Sequence, residues 1–224
     1  SKAVAAEFTT RGIHLPAYNT RESADDVEDV RRALGYDRIT LWGRSYGSHL
    51  ALATLRRHPA AVERVVLISP EGPNHTWKLP SQVDEVLRRL EEKAALPNLR
   101  TMMRQVIDQL VRTPAVVDTT HPATRQPVTV TIGAFDLQWI TAQALADPRA
   151  IVTLPAAYRE MAAGDFRRVA PLVVLRRARL GVESAMKHMM DLSSGATAER
   201  RARIEREAGT SLLGNAINFP GMFL

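Results

Sequence analysis

Leu41-Trp42-Gly43-Arg44-Ser45-Tyr46-Gly47 is the stretch on which the fold turns. Ahead of it, Arg38-Ile39-Thr40-Leu41-Trp42 is a β-branched and aromatic run suited to a buried strand. Behind it, Ser48 to Arg57 read as a helix with Leu50, Ala51 and Leu55 on one side, stopped at His58-Pro59. Gly43-x-Ser45-x-Gly47 is a weak signal in isolation, but between a strand and a helix it acquires a mechanism. A tight strand-to-helix turn lifts Ser45 Oγ above the sheet, and glycine at 43 and 47 removes Cβ atoms expected to collide there. The helix N-terminus beneath the serine favours developing negative charge, and the Tyr46 N–H is placed as an oxyanion donor. Ser45 is therefore the candidate nucleophile.

Outward from this stretch the pattern stays α/β. Thr20 or Ser23 can cap a helix whose first turn is acidic (Glu22, Asp25, Asp26) and whose apolar positions are Val27, Val30, Ala33 and Leu34; Gly35 ends it. Downstream, Arg64-Val65-Val66-Leu67-Ile68-Ser69 reads as a second strand, apolar on both faces as a parallel sheet requires. Helix–strand–helix–strand with short connections is doubly wound α/β. At Pro70 the character changes. Amphipathic helices are expected over Gln82–Ala94 and Leu99–Val111, then a hairpin of Val116–Thr120 with Val128–Ile132. Helical patterns follow at Phe135–Ala146, Pro148–Ala163, Phe166–Arg179, Glu183–Met190 and Ala198–Ala208. The expected division is a partial core over 1–70, a mainly helical insertion with a small hairpin over 71–214, and the start of a return to the core over 215–224.

Composition narrows the chemistry. The 224 residues include no cysteine, which excludes disulfides, thiolate metal sites and a cysteine nucleophile. The net charge of +6 raises nucleic acid as a partner. The arginines are scattered or paired inside Glu- and Asp-containing helical patterns, without a stacking-aromatic motif, so a solvated face is expected and no nucleic-acid partner. No apolar run approaches the ~20 residues of a membrane span, and no membrane partner is expected. Metal-ligand spacings and phosphate-binding glycine loops are missing from the sequence, so no cofactor is expected. The compartment is left open.

Residues 18–80 resemble the α/β-hydrolase peptidases of the prolyl and tripeptidyl aminopeptidase type. The resemblance is carried by Tyr18-Asn19-Thr20, by Ala24 to Arg31, by Leu34-Gly35-Tyr36, by Leu41 to Gly47 with its Ser-Tyr-Gly elbow, and by Arg57-His58-Pro59. The insertion resembles that family's helical lid loosely, and Asn215 to Pro220 resembles its return toward the core. The resemblance implies a partial α/β-hydrolase core under a helical cap that sets substrate size. It also implies acyl transfer through serine, histidine and an acid, on the N-terminal end of short peptides, with ester or amide hydrolysis as the neighbouring activity.

A serine needs a base. Of the six histidines, His14 precedes the turn, His49 lies one helical turn below Ser45, His58 caps a helix, His121 sits in the hairpin turn and His188 in a helix beside Met189-Met190. His75, in the exit from the second strand, is a candidate pocket residue. Glu71 in the same exit is a candidate triad acid or binder of a substrate α-amino group, with an exposed loop glutamate as the alternative. The fold's usual order places acid and base after the serine on later strands, so they are expected beyond Leu224, and the second oxyanion donor before Ser1. The isolated chain is then expected to turn over little, and a non-catalytic relic is the contrasting reading. Trp77, Trp139, Tyr158, Met102, Met103, Met189 and Met190 read as core first and pocket lining second.

Overall fold

A computed structural model of the chain describes residues 2–72, 74–179 and 195–221. The chain divides into two compact units, Ser1–Trp77 with Ser184–Ala198, and Lys78–Glu183 with Glu199–Leu224.

The first unit opens with helix α1 (Lys2–Thr10) and a short 3₁₀ turn at Leu15–Ala17. Helix α2 (Thr20–Ala33) starts at Asn19, whose side-chain oxygen accepts from the Arg21 and Glu22 N–H groups, both at 3.0 Å. The cap is thus Asn19 rather than the expected Thr20 or Ser23, because an Asn oxygen reaches those first orphan donors well. Strand β1 (Ile39–Arg44), helix α3 (Tyr46–Arg57) and strand β2 (Val62–Ile68) follow. β1 and β2 pair in parallel, with Trp42 opposite Val66 and Arg44 opposite Ile68. Helix α3 packs on both strands and α2 packs on α3.

Three apolar-face expectations need correction. The strands alternate rather than being buried on both sides: Trp42 is 77% exposed and Val66 49%. One sheet face carries α3, while Trp42, Val66 and Ile68 on the other are left uncovered by the described residues. In α2 the buried residues are Ala24 and Glu28, and the expected apolar stripe leaves Val30 and Leu34 exposed. In α3 the buried positions are Ser48, Ala51 and Thr54, whereas Leu50 is half-buried and Leu55 exposed. Small residues line that side because the helix lies close to the sheet.

Charge joins the two helices. Asp25 on α2 accepts from Arg57 Nε and Nη2 (2.8 and 2.6 Å), and His58 Nε2 lies 2.7 Å from the same carboxylate. The hydrogen bonds from Arg57, then His58, hold the Asp25 carboxyl down to about 2. Within α2, the Arg31 and Arg32 side chains do the same to Glu28, also to about 2.

The second unit contains α4 (Pro80–Lys93), α5 (Leu99–Arg112), an antiparallel hairpin β3 (Ala115–Thr120) and β4 (Pro127–Ile132), then α6 (Ala134–Ala144). It continues with α7 (Pro148–Ile151), α8 (Leu154–Ala162), α9 (Ala170–Arg179) and α10 (Ala198–Ala208). The single helix expected over Pro148–Ala163 is two, since Pro155 has no N–H to continue the ladder of α7. The helix expected from Phe166 begins at Ala170, and the one expected over Glu183–Met190 lies outside the described residues. Leu87, Leu99, Met103, Ile132, Tyr158 and Met161 form the centre of an apolar core. Trp139 and Met103 belong to that core, and Trp77 is buried as well. Burial pushes the Tyr158 hydroxyl up, against a 2.7 Å hydrogen bond with Thr141. The segment near 218 is held inside this unit: Asn218 bonds both backbone groups of Lys78, and Phe219 packs edge-on against Phe135 and Trp139.

Candidate active site

Ser45 sits where β1 becomes α3, with φ 52° and ψ −123°. A non-glycine residue held there is strained by roughly 1–3 kcal/mol, and such strain persists only when the surroundings enforce it. Several contacts enforce it. The Ser45 N–H donates to the Ile68 carbonyl at 3.0 Å, carrying the strand pairing one step beyond Arg44. The Ser45 carbonyl accepts from the Ser48 N–H at 2.8 Å and from Ser48 Oγ at 2.6 Å. The Ser45 residue itself is exposed, and α3 begins at the next position.

The two glycines of the turn differ. A Cβ on Gly43 would lie 2.2 Å from the Gly47 carbonyl oxygen and 2.8 Å from the Ser48 nitrogen, which are backbone atoms with nowhere to go. A Cβ on Gly47 would meet nothing within 4 Å. The expected collision therefore holds at 43 and fails at 47. The turn brings the backbone of 47 over residue 43, while position 47 itself faces open space.

Tyr46, whose N–H opens α3, is anchored from its other end by a 3.1 Å hydrogen bond between its hydroxyl and Thr20 Oγ1 at the start of α2. Its ring lies parallel to the imidazole of His49, with centroids 6.1 Å apart. His49 Nδ1 is buried without a hydrogen-bond partner among the described residues. His49 thus packs along the helix below the serine, as its spacing implies.

The exit of β2 runs beside the turn. Ser69 has a positive φ of 50°, and the Glu71 N–H donates to Ser48 Oγ at 2.8 Å. The His75 N–H closes a turn onto the Gly72 carbonyl at 3.0 Å. A Cβ on Gly72 would lie 3.0 Å from His75 Nδ1, so the imidazole covers that glycine. Glu71 is half-buried and His75 exposed. Ser48, completely buried, had no role in the sequence reading, and only one signal pointed to it. That signal is a hydroxyl on the sheet-facing side of a helix, which must find partners once buried.

Among the described residues, no histidine or carboxylate hydrogen-bonds the Ser45 hydroxyl. His58 is occupied with Asp25 at the far end of α3, His121 Nδ1 accepts from its own hairpin turn, and His188 lies outside the described residues. The described residues also contain no group of acidic and histidine side chains suited to a metal ion. No helix described is long and apolar enough to cross a membrane.

A serine in strained backbone geometry at the end of a parallel strand, with a helix starting beneath it, is the strand–turn–helix arrangement of an α/β fold. The chain belongs to the α/β-hydrolase fold family, whose model matches residues 6–195. Its fold is accordingly a partial α/β-hydrolase core with a large, mainly helical cap, and the reaction class to which the family points is hydrolysis. No curated protein matches the chain.

Proposed function

We propose that the protein is a serine hydrolase acting by acyl transfer through Ser45, and that its substrates are the N-terminal ends of short peptides. The observation that carries the first part is the backbone of Ser45 at φ 52°, ψ −123°, enforced by Ile68 and Ser48 and presented to solvent. Strain of that kind at an exposed serine has a function if the hydroxyl must be presented at a fixed angle to an incoming carbonyl. Ser45 Oγ adds to the carbonyl carbon as its proton passes to a base from outside the described residues, and the oxyanion is met by the Tyr46 N–H and the positive end of α3. Collapse expels the amine, which takes up that proton, leaving an acyl-serine that water hydrolyses. The peptide specificity rests on the Ser-Tyr-Gly elbow and the matching stretches between 18 and 80, together with Glu71 in the loop beside it. A carboxylate there suits a substrate's α-ammonium group, which must be neutralised if it is to be buried.

The test uses an aminoacyl coumarin amide, its N-acetylated counterpart and a simple p-nitrophenyl ester, with imidazole supplied to stand in for a base. Imidazole-dependent turnover that disappears in Ser45→Ala is expected, fastest on the substrate with a free amino group. Equal rates in Ser45→Ala would refute the nucleophile. Turnover confined to the ester would replace the peptidase reading with that of a carboxylesterase.

A further inference from the structure

The hydroxyl of Ser48 has two partners that belong to different parts of the site. It donates to the Ser45 carbonyl at 2.6 Å and accepts from the Glu71 N–H at 2.8 Å, and the residue is completely buried. One oxygen therefore joins the serine turn to the loop leaving β2, across 23 residues of sequence. We infer that Ser48 is a positioning residue for Glu71: it holds the Glu71 backbone at a set distance from Ser45 and so gives the site its preference for substrates bearing a free α-amino group. This rests on the reading of Ser45 and Glu71 above.

The two partners do not depend on the hydroxyl equally. With alanine at 48, the Ser45 carbonyl still accepts from the Ser48 backbone N–H at 2.8 Å, and the Ser45 N–H still holds Ile68 at 3.0 Å. The turn keeps those backbone restraints. The Glu71 N–H loses the oxygen to which it is bonded. Only a group that donates and accepts at once can fill the place, and serine is the smallest side chain that does so. Further along this loop the His75 N–H closes onto the Gly72 carbonyl and Asn74 exchanges two hydrogen bonds with Thr197. Ser48 thus supplies the hydrogen bond that refers the Glu71 backbone to the turn of the nucleophile.

The test compares two covalent probes on the full chain: a diphenyl 1-aminoalkylphosphonate with a free amino group, and its N-acetyl form. In each case the Ser45 oxygen bonds phosphorus, phenoxide leaves, and the serine proton passes to added imidazole. Modification at Ser45 is quantified by peptide mass spectrometry. The unsubstituted chain is expected to prefer the free-amine probe by about tenfold, the scale of one charge-assisted contact. Glu71→Gln is expected to abolish that preference, and Ser48→Ala to reduce it at least threefold. Ser48→Ala added to Glu71→Gln should change the preference no further, and the loss in the single Ser48 variant should fall on the free-amine probe, whereas a general loosening of the fold would slow both probes alike. If the alanine variant does not fold, Ser48→Cys, of similar volume and weaker hydrogen bonding, is read in its place with the same expectation. A preference that persists undiminished in the Ser48 variant overturns the inference while leaving Ser45 and Glu71 intact. A preference absent from the unsubstituted chain removes the Glu71 role and this inference with it. Absence of any Ser45 adduct removes the hydrolase reading itself.

Discussion

Gly43→Ala is the substitution that most sharply tests the geometry of the turn. The new methyl would sit 2.2 Å from the Gly47 oxygen and 2.5 Å from its carbonyl carbon, about 1 Å inside ordinary contact between heavy atoms. Both atoms belong to the first turn of α3, and that turn is fixed to β2 through Ser45 and Ile68. Relief requires the helix to move off the sheet. Forcing extra bulk into a packed site costs typically about 1–3 kcal/mol, and here the obstruction is backbone, so a loss of about 3 kcal/mol is expected. At roughly 2–4 °C per kcal/mol for a chain of this size, the midpoint should fall by about 6–12 °C. Gly47→Ala is the matched control. Nothing lies within 4 Å of its Cβ, and alanine is the better helix former by up to about 1 kcal/mol, so stability should hold or rise. Thermal melts followed by circular dichroism compare the two directly. Equal losses at 43 and 47, or none at 43, would refute the asymmetric turn described above.

Ser45→Gly should stabilise the chain by about 1–2 kcal/mol, because glycine adopts φ 52° without strain; a melt showing loss instead would contradict the enforced geometry. Asp25→Asn should lower the melting temperature at pH 7 by removing the link to Arg57 and His58. The Asp25 carboxylate is depressed from 3.8 to about 2, so its contribution is full above pH about 4 and is lost as the pH falls through about 2. The gap between variant and parent should therefore close over that window, and a gap constant down to pH 2 would oppose the assignment. Trp42→Lys should reduce concentration-dependent association measured by sedimentation, since it places a charge on the uncovered sheet face where Trp42 is 77% exposed. Without added imidazole the chain should turn over substrate roughly 10⁴- to 10⁶-fold more slowly than a triad enzyme, because the described residues bring no base to Ser45.

The parts of the fold that could be read from sequence are those whose signal is local. β1, the turn and α3 followed from a β-branched run, two glycines and a following Pro59, and the hairpin followed from alternating Val and Thr around His121-Pro122. What escaped depends on partners distant in sequence. Ser48 looks like any small helical residue until Glu71 is placed beside it. The difference between Gly43 and Gly47 depends on which backbone crosses which, and a symmetric motif hides it. Val30, Leu34 and Trp42 carry the apolar character of buried positions, yet burial is decided by what packs against them, and periodicity contains no record of that.

The most direct measurement is a peptide map of the chain after prolonged exposure to a small neutral fluorophosphonate with imidazole. If Ser45 is the nucleophile, the adduct will concentrate on that residue at least tenfold over Ser69 and Ser81, the other exposed serines among the described residues, since an aligned oxyanion donor retains part of the rate even without a resident base. Adduct spread evenly over the exposed serines, with Ser45 no more reactive than the rest, would contradict the account.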